Sequence, residues 1–179
     1  MSPYSVRIKQ NNRAFVVLQI QSFDKSEYIE IKFKIDTGAD RTTISSQDLF
    51  DLGYDASTIH NHIKRSGSGS TASGKQSRHY SIDLNIKHIM GQLVPKGLKF
   101  PFICKWERDV PYPKPDCDGC NLAGTVSGSF SSLLGNDILS CFDVNINRNK
   151  KEIEFNRITD LSFRNQLYPD CELYEYQSS

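Results

Sequence analysis

The sequence predicts an all-β domain, and three observations carry the prediction. Tyr28 to Ile35 reads YIEIKFKI, in which Ile29, Ile31, Phe33 and Ile35 alternate with Glu30, Lys32 and Lys34. That period of two belongs to a strand with one buried face. Ala14–Gln21, Tyr80–Ile86, Phe142–Ile146 and Glu152–Phe155 are short runs, rich in β-branched or aromatic residues and separated by polar turns, as strands in such a domain should be. Helical signals are few. Ser45, with Asp48 three residues on, caps a short helix through Leu52 that Gly53 ends, and Leu133 to Phe142 holds one or two turns.

With 179 residues, 37% of them hydrophobic, the chain has the length of one domain, spanning 1–179. No internal repeat divides it. The segment from about 94 to 121 reads as an irregular loop or an inserted subregion, because Pro95, Pro101, Pro111, Pro113 and Pro115 all fall there and proline supplies no N–H to a sheet ladder. From about 160 the chain reads as a tail, ending DCELYEYQSS.

The 22 basic and 21 acidic residues give a net charge of +1, which offers no overall footprint for nucleic acid or an anionic membrane. The N-terminal stretch lacks the basic start and unbroken apolar core of a secretion signal, and no run approaches the length of a membrane span. A cytoplasmic protein is the expectation. Five cysteines, an odd number in a chain this long, do not demand a disulfide framework.

The strongest chemical signal stands where the clearest strand stops. Ile35 is followed by Asp36, Thr37, Gly38, Ala39 and Asp40, then Arg41, Thr42, Thr43 and Ile44. A carboxylate is thereby set on a tight turn at the mouth of a sheet. Taken alone, the tripeptide equally suits an ordinary turn, since Asp and Gly are common turn formers. A second segment shifts the balance: Leu133 and Leu134 precede Gly135, the polar pair Asn136 and Asp137, and then the apolar pair Ile138 and Leu139.

In these two segments the sequence resembles the retropepsin-like aspartic proteases, over roughly Phe15 to Phe155. The resemblance implies a closed acid-protease barrel with a flap hairpin and one or two short helices. It also implies an aspartic endopeptidase that needs no cofactor. Peptide hydrolysis of that kind uses two carboxylates sharing one proton, the charged one activating water and the neutral one protonating the substrate carbonyl. The chain holds one Asp-Thr-Gly and no Asp-Ser-Gly, so the implied solution is a homodimer in which each subunit contributes its own Asp36. By the same resemblance Thr37 bridges to the partner's backbone, Gly38 admits a substrate main chain, and Ala39 and Asp40 line the cleft floor. Retroviral members pair the acid at the Asp40 position with an arginine directly after the late glycine. Asn136 stands in that place here, which leaves Asn136 or Arg41 to meet Asp40.

Between these segments, RSGSGSTASGKQ places Gly67, Ser68, Gly69 and Ser70 ahead of the strand at Tyr80. Composition alone suits a flexible linker. In the resemblance the same position is the flap, which bends over bound peptide. Cys117 and Cys120 form a Cys-x-x-Cys pair, half of a tetrahedral zinc site that Cys104 with Cys141 or a histidine would complete. No second tight pair is present, so a loop disulfide or plain thiols is the expectation and zinc the alternative. His60, His62, His79 and His88 show no metal or triad spacing. The expected partners are a second copy and a peptide or protein substrate, with neither nucleic acid nor membrane. A non-catalytic peptide-binding module on the same fold is the competing reading.

Overall fold

The computed structural model describes residues 4–9, 12–54, 59, 61–70, 76–89, 98–106, 131–169 and 174–175. They are mostly β. In chain order the elements are β1 (Tyr4–Arg7), β2 (Phe15–Gln21), β3 (Tyr28–Ile35), β4 (Thr43–Ser45), α1 (Ser46–Asp51), β5 (Ile63–Ser70), β6 (Gln76–Ile89) and β7 (Leu98–Trp106). After these come β8 (Leu133–Leu134), α2 (Asn136–Leu139), β9 (Phe142–Asn147), β10 (Glu152–Arg157), α3 (Ser162–Leu167) and β11 (Tyr174–Glu175).

The main sheet is curled and runs in the order β11, β7, β4, β8, β3, β2, β6, β5, with a further pairing between β6 and β7. The alternation read from sequence is what buries one face. Val16, Leu18 and Ile20 of β2, Ile31 and Phe33 of β3, and Ile82, Leu84 and Ile86 of β6 point into the core, while Glu30 and Lys32 face water. Burying each such side chain is worth about 1.5–3 kcal/mol. α1 forms as its cap predicts: the Ser45 hydroxyl accepts from the Asp48 N–H at 3.0 Å, and Leu49 and Leu52 are buried. Gly53 ends it with φ +90°, a conformation that suits glycine.

A second sheet, in the order β1, β10, β9, is antiparallel throughout. Phe142, Val144, Ile153 and Phe155 lie on its core side with Tyr4 and Val6, and Phe142 meets Phe155 edge-on at 6.0 Å.

The proline-bearing stretch read as irregular contains a nine-residue strand, β7. Pro101 pairs with Asp83 of β6 on one side. On the other side it falls between Leu98–Lys99, which pair with β11, and Ile103–Lys105, which pair with β4. A residue without an N–H is tolerated where no second ladder needs one, and local composition does not reveal such a gap. The stretch expected as a tail begins with α3, whose Arg164 is only 2% exposed.

Candidate active site

The site is built on a crossing of short strands. β8 runs parallel to the end of β3, with Lys34 opposite Leu133 and Ile35 opposite Leu134, and antiparallel to β4, with Thr43 opposite Leu133. Residues 36–42, which join β3 to β4, must therefore pass over the end of β8. Glycine at position 135 is what lets them do so. A Cβ there would stand 2.6 Å from the Arg41 carbonyl oxygen and 2.7 Å from the Thr42 nitrogen, and would also strike the Arg41 carbonyl carbon.

Asp36 leaves β3 with its N–H donating to the Leu134 carbonyl at 3.1 Å. Its carboxylate Oδ1 accepts the Gly38 N–H at 3.0 Å, and its carbonyl accepts the Ala39 N–H at 3.1 Å. The carboxylate is thus fixed by its own turn at the surface, half-buried, with Thr37 and Gly38 exposed beside it. Among the described residues, a Cβ at Gly38 would meet only Asp36 Oδ1, at 3.4 Å.

The first turn of α2 holds this loop from behind. The Asn136 N–H donates to the Ala39 carbonyl at 2.8 Å and the Asp137 N–H to the Asp40 carbonyl at 3.2 Å. The Asn136 side-chain amide donates to the Thr37 carbonyl at 3.0 Å, so Asn136 braces the loop backbone. Arg41 lies over the Tyr168 ring at 5.0 Å.

Asp137 is wholly buried and is the hub of the arrangement. Its carboxylate accepts the Thr42 N–H at 2.8 Å, the Thr42 hydroxyl at 2.6 Å and the Ile138 N–H at 2.9 Å. The Thr42 hydroxyl in turn accepts the Gly135 N–H at 3.1 Å. Burial pushes the Asp137 carboxyl above the usual carboxylate range, against the Thr42 hydrogen bonds, the Arg41 charge and the Ile138 N–H.

Asp36 to Asp40 and Leu133 to Asp137 are therefore brought into one unit. Gly67 to Ser70 lie on β5, in a hairpin with β6 whose register runs from Ile63 opposite Ile82 to Ser70 opposite Gln76. Residues 71–75 at its tip lie outside the described residues. Cys104 sits on β7 opposite Ile44, whereas Cys117 and Cys120 lie outside the described residues. Among the described residues no group of three or more histidine, cysteine or acidic side chains is placed to hold a metal ion, and no helix is long and apolar enough to cross a membrane.

Two contributors escaped the sequence reading, Thr42 and Arg164, whose Nε donates to the Asp137 carbonyl at 3.0 Å. Thr42 carries a weak signal, a hydroxyl residue at the head of a strand directly after a charged loop. Arg164 carries none, since nothing near it in the chain marks it as buried.

No family model matches the chain, and neither does any curated protein. Among solved structures it is similar to the crystal structure of a retropepsin-like aspartic protease from Rickettsia conorii, with a TM-score of 0.51 and 18% identity over 86% of this chain and 98% of that one. The likeness is one of fold. It includes the mostly β architecture.

Proposed function

We propose that the chain is an aspartic endopeptidase that works as a homodimer, each subunit supplying Asp36. The observation that carries this reading is the placement of the Asp36 carboxylate: held at the surface by the Gly38 N–H, on a loop braced by α2, in a fold shared with an aspartic protease. Two such carboxylates facing each other cannot both ionise cheaply, so the pair keeps one proton between them. The charged member takes a proton from water as that water attacks the scissile carbonyl, and the neutral member protonates the carbonyl oxygen. Neither step requires a metal ion.

A groove of about 380 Å³ beside the loop supports the second copy. Ile35 and Thr37, the neighbours of Asp36, line it together with the apolar Ile8, Ala14, Ile146 and Ile153 and the polar Lys9, Asn12, Arg148 and Lys151, and Ile146 is 49% exposed at the edge of the smaller sheet. A groove with exposed apolar side chains such as Ile146, running up to an incomplete site, is where a partner that completes it would seat. In this reading Thr37 links the two loops across the axis, the β5–β6 hairpin is the flap over bound peptide, and Ala39 and Asp40 face the substrate. The β6–β7 pairing is what would close the curled main sheet into a barrel.

The test is cleavage of a mixed peptide library by wild type and by Asp36→Asn, with the oligomeric state followed in parallel. Abolition of cleavage with an unchanged melting temperature is expected, along with a specific activity that falls on dilution. Cleavage that survives the substitution rejects the mechanism. A strict monomer at working concentration would instead leave a peptide-binding module.

A further inference from the structure

The segment behind the loop gives this site a second support. α3 is six residues long and exposes Phe163 and Leu167, at 69% and 53%. Apolar burial therefore contributes little to docking the helix itself, and Leu161 and Tyr168 at its two ends pack only partly against the core. Arg164 is the exception. At 2% exposure it reaches inward, its Nε donating to the Asp137 carbonyl at 3.0 Å and Nη1 to the Asn165 side chain at 3.1 Å. Tyr168 N–H closes the turn on the Arg164 carbonyl at 2.9 Å, and the Tyr168 ring lies 6.0 Å from the Arg164 guanidinium and 5.0 Å from that of Arg41.

The contacts form a continuous path. Arg164 holds Asp137, and Asp137 holds Thr42 through its carboxylate and Asp40 through its N–H. Asn136, next to it, holds Ala39 and Thr37. Tyr168 holds Arg41, between Asp40 and Thr42.

We propose that residues 161–168 form a clamp on the loop that carries Asp36, with Arg164 as a positioning residue that acts through Asp137. The clamp sets where the Asp36 carboxylate stands, and releasing it lets the loop drift while the sheets remain folded. A displacement of about 1 Å at a reacting group costs on the order of 100-fold in rate, so a small release is enough to silence the site. The catalytic part of this inference rests on the protease reading above, whereas the coupling of segment to loop does not.

Arg164→Met, Arg164→Lys and the exposed control Phe163→Ser are compared with wild type by amide hydrogen exchange and by peptide cleavage. In Arg164→Met the Asn136 and Asp137 amides should exchange roughly 10-fold faster or more, while Leu18 and Phe33 in the central strands stay near wild type, as for local rather than global opening. Its kcat should fall roughly 10- to 100-fold, by more than KM rises, because Ala39 and Asp40 drift with the loop while the β5–β6 hairpin still covers the substrate. Arg164→Lys should recover part of both effects, and Phe163→Ser should match wild type. Equal acceleration across loop and core amides, or an unchanged kcat, overturns the proposal by making Arg164 an ordinary stabiliser. If Arg164→Met does not fold, Tyr168→Ala is read by the same loop-against-core comparison. If wild type cleaves nothing, the protease reading fails, and the exchange measurement still decides the clamp.

Discussion

Replacing Gly135 by alanine tests the strand crossing on which the site depends. The added methyl would stand 2.6 Å from the Arg41 oxygen and 2.7 Å from the Thr42 nitrogen, where relaxed contacts need roughly 3.5 Å. Both clashing groups are main chain, so no side chain can swing away. The β3–β4 connection must therefore lift by most of an ångström or β8 must sink into the core. Overpacking of this kind costs about 1–3 kcal/mol. Lifting Thr42 also strains its hydroxyl bonds to Asp137 and Gly135, each worth on the order of 1 kcal/mol. A loss of about 2–4 kcal/mol corresponds to a fall in melting temperature of roughly 4–16 °C for a chain of this size. Thermal and urea denaturation of Gly135→Ala measure it, with Gly38→Ala as the internal control. At Gly38 the methyl would meet, among the described residues, only Asp36 Oδ1 at 3.4 Å, so a change within about 0.5 kcal/mol is expected. Equal effects at the two glycines, or wild-type stability in Gly135→Ala, would refute the crossing argument.

Three further outcomes are expected. Thr42→Val keeps the shape but strips a donor from Asp137 and an acceptor from the Gly135 N–H; it should cost about 2–4 kcal/mol in urea denaturation, with Thr42→Ser clearly milder. Because burial raises the Asp137 carboxyl above its ordinary value, the folded state binds more protons there than the unfolded chain between those two values. Wild type should therefore lose stability relative to Asp137→Asn as pH rises through that window, the opposite of the usual carboxylate, and melting curves from pH 3 upward check the sign. Asp24, held at about 2 first by the Ser22 hydroxyl and then by Ser26, should titrate higher in Ser22→Ala by carboxyl NMR; an unshifted curve would show that Ser22 does not hold it.

The fold was legible wherever a pattern is local. The alternation of β2 and β3, the Ser45 cap and the Gly53 stop each follow from neighbours a few residues apart, and the helix and strands stand where those signals put them. The Asp-Thr-Gly turn was legible for the same reason, since Asp36 and Gly38 make their bond within three residues. β7 was not legible as a strand because tolerance of Pro101 depends on which strands lie on either side, a property of the sheet and not of the segment. α3 was passed over because a six-residue helix with two exposed apolar side chains has no amphipathic period.

An all-β chain with one carboxylate on a glycine turn, and a glycine followed by a polar pair far downstream, is what the sequence by itself determined. That Gly135 must be bare, that Asn136 braces Thr37 and not Asp40, and that Asp137, Thr42 and Arg164 together fix the loop were decided only by the tertiary structure. Thr42 and Asp137 are 95 residues apart and Arg164 lies a further 27 along the chain. Hydrogen bonds over such separations leave no period or spacing to read, because they exist only once β8 has been threaded between β3 and β4.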